Sequence, residues 1–289
     1  MTSPAHPAAA RDIVSRALAS WQLPTPESAR NANALLQREF PDEVPPEKFA
    51  EAASSLRFGD FFVWGHDHDF GHGVKRSGAM TTRHAEISAE AIQAGFLPPV
   101  LDGRKVLDVG CWSGGDALLL AGLGAEVTAT EEHPRSAASA RRLMELLGCP
   151  AAVCETSLFR DDSSWRQMFD IVYCSGVIYH VTDPLLLLRI CFCYLRPGGR
   201  LIVETKADTE SRSSVCQYSG TEVVGWNCFT PSEWALMRWL VDAGFARDDV
   251  QIRIRPVGRF LACAVKRGAV PLPETAGFSR PGSWLAGVN

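Results

Sequence analysis

Residues Lys105 to Asp116 read KVLDVGCWSGGD, and no other stretch limits the fold as tightly. Val106, Leu107 and Val109 make an apolar run of strand length, and a glycine-rich turn follows at once. A buried strand that ends in glycines and continues as a helix from Gly115 or Asp116 is half of a βαβ unit. Such a unit brings unpaired backbone N–H groups and the positive end of a helix to one point, which suits an anionic or ribose-bearing ligand. Asp108 falls where the strand gives out. Its side chain can act on the ligand side while the apolar residues before it stay in the sheet.

The pattern around this unit alternates. Ahead of it, helical spacing predicts segments from Ala9 to Trp21, Glu27 to Phe40 and Pro46 to Leu56, and a further helix from Arg83 to Ala94. After it, strands are expected at 126–130, 151–154, 170–175 and 200–204, with helices at 135–147 and 184–195. Thr230-Pro231-Ser232-Glu233 has the form of a capping box with proline at the first helical position, opening a helix that stops at Gly244. Strands at 250–255 and 259–265, joined by Pro256–Gly258, predict an antiparallel edge hairpin. The expected fold is therefore α/β: a Rossmann-like, doubly wound, mostly parallel seven-stranded sheet with an antiparallel edge hairpin and an N-terminal helical cap. The expected division is a cap and lid over 1–80, a core over 81–267 and a surface tail over 268–289.

Composition narrows the function classes. A net charge of −4 gives no global basic field to draw nucleic acid, although a local patch remains possible. Nine cysteines, none in a C-x-x-C pair, predict buried free thiols in a reducing cytoplasm. The longest apolar run, Leu185 to Leu195, is interrupted by Arg189 and too short to span a bilayer. A soluble, non-exported protein is the expectation.

Two signals stand beside the glycine turn. Glu131 ends the next strand, where a carboxylate can accept both hydroxyls of a ribose, and Glu132 takes its place if the register shifts by one. The G-x-G-x-x-G pattern of dinucleotide folds is absent, since Gly110, Trp112 and Gly115 do not align to it. The ordered set of Asp108, Gly110, Gly114, Glu131, then FDIVYCSGVIYHVTDP and LRPGG resembles the class I S-adenosylmethionine-dependent methyltransferases over roughly residues 84–265. That resemblance implies S-adenosylmethionine as cofactor and S-adenosylhomocysteine as product. It implies that Gly110, Cys111, Trp112 and Gly114 receive the methionine part, with Asp108 organising the ammonium and Glu131 the ribose. It implies that Ser157 and Leu158 cover the adenine and that Ser175 borders the cofactor. Trp112 replaces the usual second glycine; it either stacks on the cofactor or packs against the first helix.

A narrower similarity lies in GVIYHVTDPLLLL, LRPGGRLIVET, WNCFTPSEWALMRWLVDAGF and GRFLACAVK, and in the early WGHDHDFGHGVKRSG. These resemble the enzymes that modify the 5-oxygen of wobble uridine in tRNA. Members that use the carboxylated cofactor hold its extra carboxylate with a tyrosine and an arginine, to which Tyr179 and Arg259 correspond. Their lysine and tryptophan pattern before the core has no counterpart here, so plain S-adenosylmethionine is expected. The clustered basic residues are Arg253, Arg255, Arg259, Lys266 and Arg267, and a strand that alternates Ile252, Arg253, Ile254, Arg255 reads as a solvated face.

Methyl transfer rests on positioning, with a nearby base for an oxygen or nitrogen acceptor. Tyr179 and His180 follow the fourth strand and are the catalytic candidates, although packing also accounts for His180. Glu204, Trp226, Asn227 and Arg259 are candidates for the acceptor wall. The aromatic, glycine-rich segment 57–80 reads either as a loop over a pocket or as a linker whose aromatics cover the core, with His66 and His72 as acceptor contacts. The His66-Asp67-His68-Asp69 run invites a metal, but neighbours in an extended segment point opposite ways, so none is expected. The reading is a methyltransferase acting on a small metabolite, with tRNA as the less favoured acceptor, no membrane, and a non-catalytic cofactor-binding subunit as the rival from another class.

Overall fold

The computed structural model describes residues 6–56, 60–160, 162–220 and 227–268. These fall into two compact units, one ending at Ser157 and the other beginning at Leu158.

The first unit opens with α1 (Pro7–Ala19), α2 (Pro26–Glu39) and α3 (Phe49–Ser55). Ala10, Val14 and Ala17 are the buried stripe of α1, which their three- and four-residue spacing dictates. The short hairpin β1 (His68–Asp69) and β2 (Lys75–Arg76) follows, then α4 (Arg83–Gln93), to which α1 is packed. The alternating part comprises β3 (Lys105–Val109), α5 (Gly115–Gly122), β4 (Glu126–Glu131), α6 (Pro134–Leu147) and β5 (Ala152–Glu155). β4 lies between β3 and β5 and is parallel to both. α1 also lies directly on α5: a Cβ on Gly122 would come 2.1 Å from the carbonyl oxygen of Ala17. The Trp21 indole N–H donates to the Leu118 carbonyl at 2.8 Å.

Among the described residues, the aromatics of the segment before α4 are core residues. Phe61, Phe62, Val63, Trp64 and Phe70 are all buried. The Arg76 guanidinium lies 4.4 Å over the Trp64 ring and is paired with Glu43.

The second unit holds β6 (Phe169–Ser175), α7 (Pro184–Tyr194), β7 (Leu195–Lys206), β8 (Cys216–Tyr218), β9 (Phe229–Pro231), α8 (Glu233–Ala243), β10 (Val250–Arg255) and β11 (Arg259–Val265). β6 and β7 are parallel, β11 runs antiparallel to β7, and β10 closes the edge antiparallel to β11. The seven longer strands, β3 to β7 with β10 and β11, are those of a doubly wound, mostly parallel sheet with an antiparallel edge hairpin. The Lys266 ammonium donates to the Phe192 and Leu195 carbonyls and so caps the end of α7.

The start of α8 differs from the expected capping box. Ser232, not Thr230, is the N-cap, and its hydroxyl accepts from the Ala235 N–H at 3.2 Å. Thr230 and Pro231 are drawn into the ribbon with β8. The strand expected at 200–204 begins earlier, since Arg196–Gly199 lie within β7, where the pairing with β6 shifts between Phe169 and Ile171. All nine cysteines are free. Among the described residues, no helix is long and apolar enough to cross a membrane. The expected tail lies outside the described residues from 269 onward.

Candidate functional site

In the first unit the turn between β3 and α5 is fixed from both sides. The N–H groups of Gly110 and Cys111 both donate to the Thr130 carbonyl at 2.9 Å, tying the turn to the end of β4. Gly110, Trp112 and Gly114 have φ of 72°, 51° and 88°. Glycine bears such angles without penalty, whereas a tryptophan needs its surroundings to hold it there. The Trp112 N–H donates to Glu131 Oε2 at 2.8 Å and its indole N–H to the Val63 carbonyl at 3.1 Å. A Cβ on Gly114 would lie 2.6 Å from Met144, so α6 closes on the turn at that point.

Three carboxylates gather behind the turn: Asp108, Asp116 and Glu131 are all at least nine-tenths buried. Glu131 is aimed inward by the N–H groups of Trp112 and His133, the latter at 2.8 Å from Oε1. Of the two neighbouring acids, Glu131 is buried and Glu132 is exposed. Burial pushes the Glu131 carboxyl up, and its two backbone donors oppose that. Burial, then the charges of Asp116 and Glu131, push Asp108 well above the carboxylate range. Asp108 Oδ2 has no hydrogen-bond partner in the protein. A cation or a set of hydroxyl donors placed against such a buried cluster would favour its ionised form. Cys111 is packed in the same place, and burial first, then these acids, raise its thiol.

The segment before α4 is seated on the turn. The Gly65 N–H donates to Ser113 Oγ at 2.9 Å, and a Cβ on Gly65 would strike the Trp112 indole at 2.7 Å. His66 lies against the turn itself, with its ring 5.9 Å from Trp112. His72 is elsewhere: it is exposed on the β1–β2 turn, with its ring nitrogen 3.0 Å from the Leu23 carbonyl. Ser157 is exposed at the end of the unit.

In the second unit, Tyr179 borders a buried ionic network centred on Glu204. Arg259 donates to Tyr179 Oη at 3.2 Å and stacks 4.7 Å over its ring. The same guanidinium grips Glu204 through Nε at 2.7 Å and Nη2 at 2.5 Å, and Arg255 reaches Glu204 at 3.0 Å. Burial works against the charge on Arg259, but the bonds to Glu204 outweigh it and raise its pKa. Glu204 is thus held by two arginines. The His180 ring is 3.9 Å from that of Tyr179 and only partly buried. Leu158, Ser175 and Asn227 are half-buried in this unit, and Trp226 lies outside the described residues.

One expectation for this region holds at Arg253, which is exposed, and fails at Arg255. Arg255 is buried rather than part of a solvated strand face, and so are Arg259 and Lys266, while Arg267 pairs with Asp249 at 2.6 Å. Local alternation along β10 carries no information about Glu204, which arrives on another strand.

Sequence reasoning missed His84, Ser113 and Asp116. His84 had a signal: it shares the buried face of α4 with Ile87, Ser88 and Ala91, and a polar ring among such residues needs explaining.

A family model described as "Methyltransferase domain" matches residues 80–250. A ubiquinone biosynthesis O-methyltransferase of Xanthomonas campestris is 31% identical over 190 residues, covering 57% of this chain and 77% of that protein. Its counterpart in Methylocella silvestris is 32% identical over 139 residues, 48% of this chain and 54% of that protein. A tRNA U34 carboxymethyltransferase of Saccharophagus degradans is 32% identical over 148 residues, 50% of this chain and 46% of that protein. The chain thus spans about half the length of two of these three relatives. Among solved structures, a chain of the complex between the Haloferax volcanii Trm112 methyltransferase activator and a methyltransferase superposes with a TM-score of 0.50 at 18% identity. That superposition covers 64% of this chain and 91% of the other, and it bears on the fold alone.

Proposed function

We propose that this chain, which belongs to the methyltransferase-domain family and is an S-adenosylmethionine-dependent methyltransferase, passes its methyl group to a small-molecule acceptor. The observation that carries the choice of acceptor is the inward orientation of the basic residues. Arg255, Arg259 and Lys266 are spent on Glu204, Tyr179 and the end of α7. A tRNA-binding face needs its cations at the surface, where they can meet phosphates. Of the residues clustered in sequence, only Arg253 and Arg267 are exposed.

The first unit fits the methyl donor. S-Adenosylmethionine supplies an electrophilic methyl on a sulfonium and carries an ammonium beside it. The unpartnered Asp108 oxygen, backed by Asp116 and Glu131, is the complement of those cations. In this reading Asp108 holds the ammonium and Glu131, fixed by its two backbone donors, takes the ribose hydroxyls. Gly110 and Gly114 let the backbone approach the ligand, and Trp112 packs against the lid segment rather than standing free to stack. Ser157, Leu158 and Ser175 are assigned to the adenine side.

The acceptor is assigned to residues of the second unit. Tyr179 is immobilised by Arg259, and His180, stacked on it, takes the proton from an acceptor oxygen or nitrogen. Asn227 orients the acceptor. Nine free cysteines fit work in a reducing compartment such as the cytoplasm.

The test is transfer of label from methyl-tritiated S-adenosylmethionine to separated fractions of a cell extract. Label in the small-molecule fraction supports the reading. Label in the tRNA fraction replaces it with the wobble-uridine alternative, which the Saccharophagus relative favours.

A further inference from the structure

The acids behind the glycine turn answer the positive half of an amino-acid zwitterion, and its negative half also needs a partner. Three imidazoles of the first unit, those of His84, His68 and the half-buried His66, carry buried ring nitrogens that the protein leaves unmet. His84 is 2% exposed and neither of its ring nitrogens has a hydrogen-bond partner. His68 is 5% exposed with Nε2 unpartnered, and His66 has Nδ1 unpartnered. The rings of His66 and His84 are 4.4 Å apart. Unmet buried polar atoms are uncommon, and several at one place point to a missing ligand or to strain stored for one.

Their position identifies the ligand group. A Cβ on Gly115, the first residue of α5, would come 2.7 Å from His66 Nδ1 and 3.0 Å from its Cβ. The His66 ring therefore rests on the start of that helix, where the first N–H groups have no partner within the helix and the helix dipole favours an anion. Asp116, one of the three acids, is the next residue in the chain. Cation-binding and anion-binding groups thus sit side by side, as a zwitterion requires. His68 faces Trp64 edge-on at 5.5 Å and belongs to the lid core. Burial, then repulsion from His84, His68 and Arg83, keeps His66 neutral, and burial lowers His84 to about 4. A neutral imidazole still offers one N–H to an acceptor.

We infer that His66 and His84 receive the carboxylate at the methionine end of S-adenosylmethionine, beside the acids that take its ammonium. The inference rests on the donor site proposed above. It moves His66 from a contact of the acceptor to the donor site, and makes the lid segment and α4 part of donor recognition.

The experiment compares two ligands by calorimetric titration of the full chain. One is S-adenosylhomocysteine; the other is its decarboxylated analogue, which keeps the amine and lacks the carboxylate. Wild type should prefer the first by at least about tenfold, the value of a hydrogen bond to a charged group. His66→Phe and His84→Phe should bind the analogue as wild type does, with the preference reduced to within about threefold. If either substitution abolishes binding of both ligands, His84→Asn, which keeps one amide donor, should show an intermediate preference. Variants that retain the full wild-type preference overturn the inference, as does a wild type that binds both ligands equally. Failure of wild type to bind S-adenosylhomocysteine at all would instead remove the donor site.

Discussion

Asp108→Asn should stabilise the ligand-free protein and weaken its hold on the methyl donor. Asp108 is 2% exposed, and burial with the neighbouring acids pushes its carboxyl well up. An acid whose folded pKa lies above its unfolded value weakens the fold as pH rises between the two. Each unit of that difference corresponds to about 1.4 kcal/mol. Asparagine keeps the shape and cannot ionise, so the variant escapes this cost. Ligand-free Asp108→Asn should therefore melt above wild type at pH 8, and the gap should close as pH falls and wild-type Asp108 takes up its proton. Each kcal/mol recovered raises Tm by about 2–4 °C for a protein of this size. Binding moves the other way. Replacing a charged acceptor by a neutral amide at the donor's ammonium costs about 1.5–3 kcal/mol, or roughly 10- to 100-fold in Kd. Scanning calorimetry across pH and titration with S-adenosylhomocysteine read both effects. A variant that melts below wild type at pH 8 and binds the ligand equally well would refute the reasoning.

Glu204→Gln should cost about 3–5 kcal/mol in urea unfolding, because it removes the charge that Arg255 and Arg259 share in the interior; a loss under about 1 kcal/mol would mean water already compensates those guanidiniums. Gly122→Ala places a methyl 2.1 Å from the Ala17 carbonyl oxygen and should destabilise by about 1–3 kcal/mol despite the better helix propensity of alanine. An unchanged urea midpoint would show that α1 does not bear on α5. His180→Ala should lower kcat about 100-fold or more while leaving the Kd for S-adenosylhomocysteine within about twofold, if the ring serves as base; equal activity across pH would return His180 to packing.

The legible parts of this chain were those whose causes are local. β10 and β11 lie where alternation and the Pro256–Gly258 connection place them, and β3, its glycine turn and α5 follow from KVLDVGCWSGGD. The start of α8 was misplaced for a non-local reason. The Pro231 carbonyl accepts from the Asp208 N–H and the Ser232 N–H donates to the Val215 carbonyl, both at 2.9 Å, which holds Thr230 and Pro231 in a ribbon. The two-residue strands of β1 and β2 are too short to show any period. Arg255 looked solvated because its partner Glu204 is 51 residues away in the chain. Asp108 and Glu131 were readable from their places at strand ends, whereas Asp116, in the first turn of α5, was not. The imidazoles were not, because His66 and His84 meet only after α4 folds back beside the lid segment.

The most direct test of the donor site is a crystal structure of the protein with S-adenosylhomocysteine. The account predicts the ribose hydroxyls on Glu131 and the amine on Asp108, with the backbone of Gly110 to Gly114 against the ligand. A ligand bound away from this turn, or a turn closed by its own side chains with the ligand absent at saturating concentration, would contradict it.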